Sequence, residues 1–316
     1  MALLSTAVSV RAPATSANLG PGFDALGLAL ALYDEVTAKV TGAGVTVAVT
    51  GEGSTDLPTD ESHLVVRAMR RAFDALGEQP AGLALRCVNR IPQARGLGSS
   101  SAAIVAGVLL ARALTADGSQ RLDDAAALRL AAELEGHPDN VAPCLFGGMT
   151  IAWMTEDGAE AVRLEPAAAI APVVFVPRER GLTAAARAAL PATVPHADAA
   201  RNAGRAALLV HALTAAPGRL FAATEDRLHQ PYRAAGMPGT AALVADLRAT
   251  GVAAVVSGAG PSVLALAEAD WTPPNRDGWV ALRPGISTVG ARVLDDSGSS
   301  MLEHAERDPV AAGWPS

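Results

Sequence analysis

Arg90-Ile-Pro-Gln-Ala-Arg-Gly-Leu-Gly-Ser-Ser-Ser-Ala-Ala-Ile104 is the stretch on which the reading of this chain turns. Leu83–Val88 before it is apolar and strand-like, and Ser100–Leu114 after it has the Ala, Val and Leu content of a buried helix. Gly96 and Gly98 remove side chains where a backbone closes around an anion, and Ser99, Ser100 and Ser101 supply hydroxyls. The helix that follows points free N–H groups and its positive dipole end at the loop, an arrangement suited to phosphate. The loop is not a P-loop, because the Lys-Ser/Thr ending is absent, and no acidic residue follows at the spacing of a dinucleotide fingerprint. Taken alone, it fits an ordinary helix start better than a phosphate site. Within the helix, Gly107 leaves room for a close neighbour.

Upstream, Asn18–Gly22 is turn-rich and Phe23–Leu32 is apolar, as in a buried segment leaving a loop. Strand patterns occur at Ser5–Arg11 and Val45–Thr50. Leu64–Leu76 has helical spacing with Gly77 placed to stop it. Downstream, a helix near Leu122–Glu135 breaks at Gly136-His137-Pro138, because proline cannot continue the backbone bonding. Met149–Met154 and Ile170–Val176 read as strands, and the weakly patterned Glu156–Ala169 between them is expected to carry a domain boundary. Helices follow around Ala184–Leu190, Asn202–Ala215 and Thr240–Ala249, with strands at Val252–Ser257, Val263–Ala267 and Thr288–Leu294. The expected division is residues 1–165, residues 166–296, and a polar, breaker-rich flexible tail at 297–316.

The 316 residues carry a formal net charge of -7 and no basic block, which argues against a nucleic-acid partner. A local anion site remains compatible with that balance, because backbone N–H groups can build one. The apolar fraction of 50% is heavily alanine and aromatics are 3%, so close packing of small side chains should hold the core. Cys87 and Cys144 are too few and too far apart for a disulfide framework. No run reaches the ~18 charge-free apolar residues of a membrane span, so no membrane partner and a cytoplasmic placement are expected.

Three blocks resemble the GHMP kinase superfamily (galactokinase, homoserine kinase, mevalonate kinase and phosphomevalonate kinase), in the family's order. They are Pro13-Ala-Thr-Ser-Ala-Asn-Leu-Gly-Pro-Gly-Phe-Asp24-Ala-Leu-Gly27, the Gly96–Ser101 loop, and Val256-Ser-Gly-Ala-Gly-Pro-Ser-Val263. Within the superfamily the chain looks like the homoserine kinases, through Ser16–Asp24, Glu133-Leu-Glu-Gly-His-Pro-Asp-Asn-Val-Ala-Pro143 and Phe146-Gly-Gly148. The resemblance implies an α+β fold of two domains. The first would be like domain 2 of ribosomal protein S5 and bind ATP. The second would be ferredoxin-like and complete the acceptor site. It also implies phosphorylation of the side-chain hydroxyl of L-homoserine in threonine biosynthesis, with ATP as co-substrate and Mg2+. A homodimer is left open, and so is another acceptor of the superfamily such as mevalonate or an isoprenoid precursor. A catalytically silent nucleotide-binding member is the reading from a different class.

By the same resemblance, the ATP phosphates lie on Pro92, Gln93, Ala94, Arg95, Gly96, Leu97, Gly98, Ser99, Ser100, Ser101 and Ala102. Arg95 stands where the family often has a small residue, and either contacts phosphate or points outward. Ser100 and Glu133 are the implied metal ligands, with Glu135 as the competing carboxylate because two helix positions turn it another way. Asn18, Asp24, His137, Asn140, Arg187, Arg233 and, more weakly, Thr183 are the implied homoserine site. A zwitterion needs a carboxylate for its ammonium and an arginine fork for its carboxylate. Gly258 and Gly260 form either a tight interstrand turn or a loop that closes the site, and glycine permits both. No evident general base is present. Asparagine cannot take the proton, so Asn140 and Asp24 are expected to orient the acceptor while the proton leaves late to phosphate. Asp24 acting as the base is the alternative.

Overall fold

The computed structural model describes residues 3–181 and 183–294, with Thr183 described by its backbone alone. Eleven strands are described: β1 Val8–Ala17, β2 Leu26–Thr41, β3 Gly44–Gly51, β4 Gly82–Asn89, β5 Met149–Thr155, β6 Gly158–Leu164, β7 Ala171–Pro177, β8 Ala253–Val256, β9 Val263–Ala267, β10 Trp279–Leu282 and β11 Arg292–Leu294. The α-helices are α1 Leu64–Leu76, α2 Ser99–Leu114, α3 Gly118–Arg121, α4 Asp124–Glu135, α5 Pro138–Phe146, α6 Thr183–Ala188, α7 His196–Thr214, α8 Leu220–Ala223, α9 Gln230–Arg233 and α10 Pro238–Ala249. The expected tail at 297–316 lies outside the described residues. Among those described, no helix is long and apolar enough to cross a membrane.

β2 is the spine of a seven-stranded sheet ordered β11-β1-β2-β4-β3, with β5 attached to the first residues of β2 and β6 paired to β5. It pairs with β1 from Ala17↔Gly27 to Val8↔Ala38, with β5 over Leu26–Leu28, and with β4 over Glu35–Thr41. The β1–β2 register shifts between Pro13 and Ala14. A proline has no N–H for the ladder, so a bulge there lets one strand continue where the sequence suggested an end near Arg11.

On this sheet lie α1 and α2. α1 buries Val65, Val66, Met69, Ala72, Phe73 and Leu76, and stops at Gly77 in the left-handed region (φ 75°). Gly107 is where the two helices touch: a Cβ there would sit 2.6 Å from the Val65 carbonyl oxygen and 2.7 Å from Ala68 Cβ.

The second sheet is ordered β10-β7-β9-β8 and is wholly antiparallel. In chain order that is the ferredoxin-like arrangement, although residues 268–278, which cross back to β10, contain no helix. One face, with Val173, Phe175, Ala254, Val263 and Ala265, packs with Leu243 and Leu247 of α10. Val174, Val176, Val255 and Leu264 join Leu209, Ala212 and Leu213 of α7 in the same apolar cluster as the interior of the first sheet.

Three features differ from the sequence reading. Glu156–Ala169 is not a boundary loop throughout, because β6 closes a hairpin with β5 there and β7 opens the second sheet only at Ala171. The break expected at Gly136-His137-Pro138 does end α4 at Glu135, but it is short, because Pro138 begins a further helix, α5, at the position where a missing N–H costs nothing. The chain also returns to the first sheet at its end, where β11 pairs with β1, so the stretch after β10 packs outside the second sheet.

Two outcomes test this packing. The shared apolar cluster should make the full chain unfold in one calorimetric transition, while a fragment of residues 1–165, lacking β11 and the part of the cluster that the second sheet and α7 contribute, should show none. Gly107→Ala gains about 1 kcal/mol of helix propensity but forces a contact whose overpacking costs about 1–3 kcal/mol. Its denaturation midpoint should therefore fall, and a raised midpoint would contradict the close approach of α1 and α2.

Candidate active site

The glycine-serine loop is held in shape from both domains. Gly96 and Gly98 both have left-handed backbone (φ 72° and 68°). A Cβ on Gly96 would lie 2.2 Å from the Ser257 carbonyl oxygen, and one on Gly98 would lie 1.9 Å from Thr15 Oγ1. Only glycine fits either position. The Ser257 hydroxyl donates to the Gly96 carbonyl (2.7 Å), the Thr15 N–H donates to Leu97 (3.0 Å), and the Gly181 N–H donates to Ala94 (2.7 Å). α2 then begins at Ser99 with no side chain capping its first turn, so its leading N–H groups face the loop. The buried carboxylate of Asp34 accepts from the N–H groups of Arg90 (2.6 Å) and Ile91 (2.9 Å), fixing the loop's entrance.

Around this loop lies a cleft of about 380 Å³. It is lined by the loop from Gln93 to Ser100 and by Asn18, Asp24, His137, Asn140, Arg187 and Arg233. Asn18 and Asp24 have positive φ (67° and 55°), and Asn18 binds the turn together: its Oδ1 accepts from the Asp24 N–H and its Nδ2 donates to the Gly258 carbonyl, both at 2.9 Å. Arg187 forks onto Asp24, Nη1 to Oδ2 and Nη2 to Oδ1, each 2.9 Å. Asn140 lines the cleft with its Oδ1 accepting from the Thr15 hydroxyl (2.8 Å).

Arg233 is 3% exposed, and its Nε and Nη1 are committed to the Ala186 carbonyl (3.1 Å) and His229 Nδ1 (3.0 Å). His229 Nε2 in turn donates to the Gly20 carbonyl (2.8 Å), and Phe23 stacks on the His229 ring at 5.1 Å. Arg187 and Arg233 both lie over the Phe23 ring, at 5.9 and 5.3 Å. His229 and Phe23 were not singled out from the sequence. Both are ordinary side chains in one dimension, joined to Arg233 only by the fold.

Some residues stand elsewhere. Glu133 does not face the loop: it pairs with Arg71 (2.8 Å) on the outer side of α4. Two positions further along, about 200° around the helix, Glu135 Oε1 accepts from Ser100 Oγ (2.6 Å) and Ser101 Oγ (3.0 Å). The carboxylate beside the loop is thus Glu135. Arg95 neither projects outward nor stands free for phosphate, since Nε, Nη1 and Nη2 donate to the carbonyls of Pro177, Gln93 and Arg178. It joins the loop to the end of β7. Pro92 is buried beneath the loop. A Cβ on Gly260 would meet Met237 Sδ at 2.7 Å, behind the turn, whereas Gly258 lines the cleft. The Thr183 side chain lies outside the described residues.

His137 shows how charge is set here. Its Nδ1 lies 2.6 Å from the carboxylate of buried Asp139, and this hydrogen bond raises the imidazole above its ordinary pKa. A raised folded pKa means the pair's stabilisation is fully present below the unfolded value of about 6.5 and is lost as pH rises through the folded value. The stability difference between the wild type and His137→Asn, measured by denaturant titration, should therefore shrink as pH rises from about 6 to about 9. A difference that grew over this range would refute the ion-paired histidine.

The GHMP kinases N terminal domain family matches residues 63–148 and the GHMP kinases C terminal family matches residues 199–273. A homoserine kinase of Streptomyces coelicolor is 59% identical over 297 residues, covering 93% of this chain and 96% of the relative. One from Clavibacter michiganensis is 51% identical over 309 residues, covering 93% and 96%. The crystal structure of homoserine kinase from Cytophaga hutchinsonii superposes with a TM-score of 0.75 at 26% identity, over 93% of this chain and 99% of that one. With sequence likeness extending over both sheets and the cleft between them, this chain belongs to the homoserine kinase family of the GHMP superfamily.

Proposed function

We propose that the cleft transfers the γ-phosphoryl group of ATP to the side-chain hydroxyl of L-homoserine, and that its residues divide the work as follows. The phosphates lie on the backbone N–H groups of Gly96–Ser101 and the start of α2, which stabilise charge with little rearrangement. Ser100 and Glu135 offer hard oxygens within 2.6 Å of each other, a donor set that suits Mg2+. They would hold the ion, whose chemistry there is to neutralise phosphate charge. Asp24 takes the acceptor's ammonium and Arg187 its carboxylate. Their bidentate pairing is the observation that carries the reading, because an amino-acid zwitterion presents the complementary charges to this pair.

Asn140 Nδ2 orients the acceptor hydroxyl, since its Oδ1 is already taken by Thr15. Both oxygens of Asp24 are engaged by Arg187, and Asn140 has no acid–base chemistry at ordinary pH. The proton then leaves late, to a phosphate oxygen. Phosphoryl transfer tolerates this, because its loose transition state asks for placement of the attacking oxygen more than for its deprotonation. Arg233, His229 and Phe23 act as the wall that holds this fork in place.

The acceptor is tested by magnesium-dependent ADP release with homoserine, serine, threonine, mevalonate and galactose. Homoserine should be greatly preferred. Serine keeps both charged groups but lacks a methylene, which costs about 1–3 kcal/mol in the pocket and leaves its hydroxyl roughly 1 Å short, a further loss of about 10²-fold. Turnover of mevalonate at a rate comparable to homoserine would overturn the acceptor reading.

The two glutamates give a second test. Glu135→Gln should lower kcat/KM by about 10²-fold or more and shift the magnesium dependence to higher concentration. Glu133→Gln removes an exposed surface pair and should stay within about twofold of wild type. The reverse ranking would restore Glu133 to the metal site.

A further inference from the structure

Two guanidinium groups of the cleft share one aromatic ring. Arg187 Cζ lies 5.9 Å and Arg233 Cζ 5.3 Å from the centroid of Phe23, each within the roughly 6 Å at which a ring face attracts a cation. Both arginines line the cleft, and Phe23 lies behind them. Their closeness has a cost: burial first, and then the positive charge of Arg187, push the Arg233 guanidinium below its ordinary pKa. The carboxylates of Asp24, Asp226 and Asp139 act in the opposite direction. Asp226 is taken up by the backbone N–H groups of Leu228 and Gln230, and Asp139 by His137. Asp24 is the carboxylate that meets a guanidinium directly, and it meets Arg187. Arg233 spends Nε and Nη1 on uncharged acceptors, the Ala186 carbonyl and His229 Nδ1. Two cations thus stand together with one directly paired carboxylate and one ring.

That balance changes when the acceptor enters. The inference rests on the proposed reading, in which the acceptor's ammonium takes Asp24 and its carboxylate takes Arg187. Both Asp24 oxygens now neutralise Arg187. A zwitterion set between them draws Asp24 toward the ammonium, and a single acceptor carboxylate then serves two neighbouring cations. The face of an aromatic ring carries the negative part of its quadrupole, so the share of Phe23 in holding the arginines grows as that of Asp24 falls. A contribution that is larger with the acceptor bound than without it adds to affinity as well as to stability. The ring is itself fixed from behind by the stacked His229 imidazole, 5.1 Å away at 25°. We propose that Phe23 is a positioning residue for the acceptor, its π face holding Arg187 and Arg233 side by side to receive the acceptor's carboxylate.

Fluorine withdraws charge from a ring face while changing its shape little, so it separates the electrostatic role of Phe23 from its packing. The full chain is prepared with 4-fluoro-, 3,5-difluoro- and 3,4,5-trifluorophenylalanine at position 23, and homoserine binding is measured by calorimetry. Kd for homoserine should rise stepwise along the series, reaching about tenfold with the trifluoro ring. Phe23→Leu, apolar but without a π face, should reach about the same value. Kd for ATP and the denaturation midpoint should hold across the fluorinated series. The proposal falls if homoserine affinity is flat across the fluorinated rings, even where Phe23→Leu weakens it, since the ring would then act by packing alone. It falls equally if ATP affinity declines in parallel with homoserine affinity. A failure of the acceptor reading would appear separately, as an unchanged Kd for homoserine in Arg187→Ala.

Discussion

The left-handed backbone of Gly96 and Gly98, pressed between Thr15 and the Ser257–Gly260 turn, is the constraint from which the rest of the site follows. With no room for a Cβ on either glycine, the loop approaches the first domain on one side and the second on the other. That double approach brings the Ser257 hydroxyl onto the Gly96 carbonyl and also onto Ser16 Oγ (2.8 Å). It also brings Arg95 onto the carbonyls at the end of β7. The glycine-serine loop is thus part of the domain junction, and both sheets contribute to one apolar cluster there.

The other side of the cleft is built around the same turn. The Gly258 carbonyl accepts from Asn18, while the Gly258 N–H donates to Ala17 (3.1 Å), so the second domain grips the residues that lead to Asp24. Asn18 and Asp24 adopt the left-handed region, which short polar side chains tolerate better than others and which the surrounding hydrogen bonds hold in place. Asp226 stabilises the other wall, accepting from the N–H groups of Leu228 (2.7 Å) and Gln230 (2.7 Å) just before α9, the helix that carries Arg233. A site held this firmly can work by placement, which is consistent with a reaction path in which no side chain needs to take the proton.

The points where the structure departs from the sequence reading have physical causes. Glu133 and Glu135 belong to one short run, and which of them meets Ser100 depends on the rotation of α4 against α2. Helix spacing separates the two carboxylates but does not say which face is inward, since it is tertiary packing that buries Leu128, Leu130 and Ala131 of α4. Arg95 follows the same logic. A guanidinium beside a phosphate loop suggests phosphate, yet Arg95 donates to the carbonyls of Pro177 and Arg178, at and just past the end of a strand more than eighty residues away in the chain. β6 was hidden because its residues pair with β5 on one edge only, so their pattern is weakly apolar.

The sequence by itself determined the local features: glycines where only positive φ fits, the stop of α1 at Gly77, the apolar periodicity of α1 and α2, and three motif blocks specific enough to identify the family. These survive in one dimension because each depends on a residue's own backbone or on neighbours within a turn or two. Only the tertiary structure decided which carboxylate faces the loop, where the three nitrogens of Arg95 go, that Arg187 forks onto Asp24, and that two arginines lie over Phe23. Each of these is a contact between segments dozens to hundreds of residues apart, fixed by how sheets and helices pack, and no local pattern encodes that geometry.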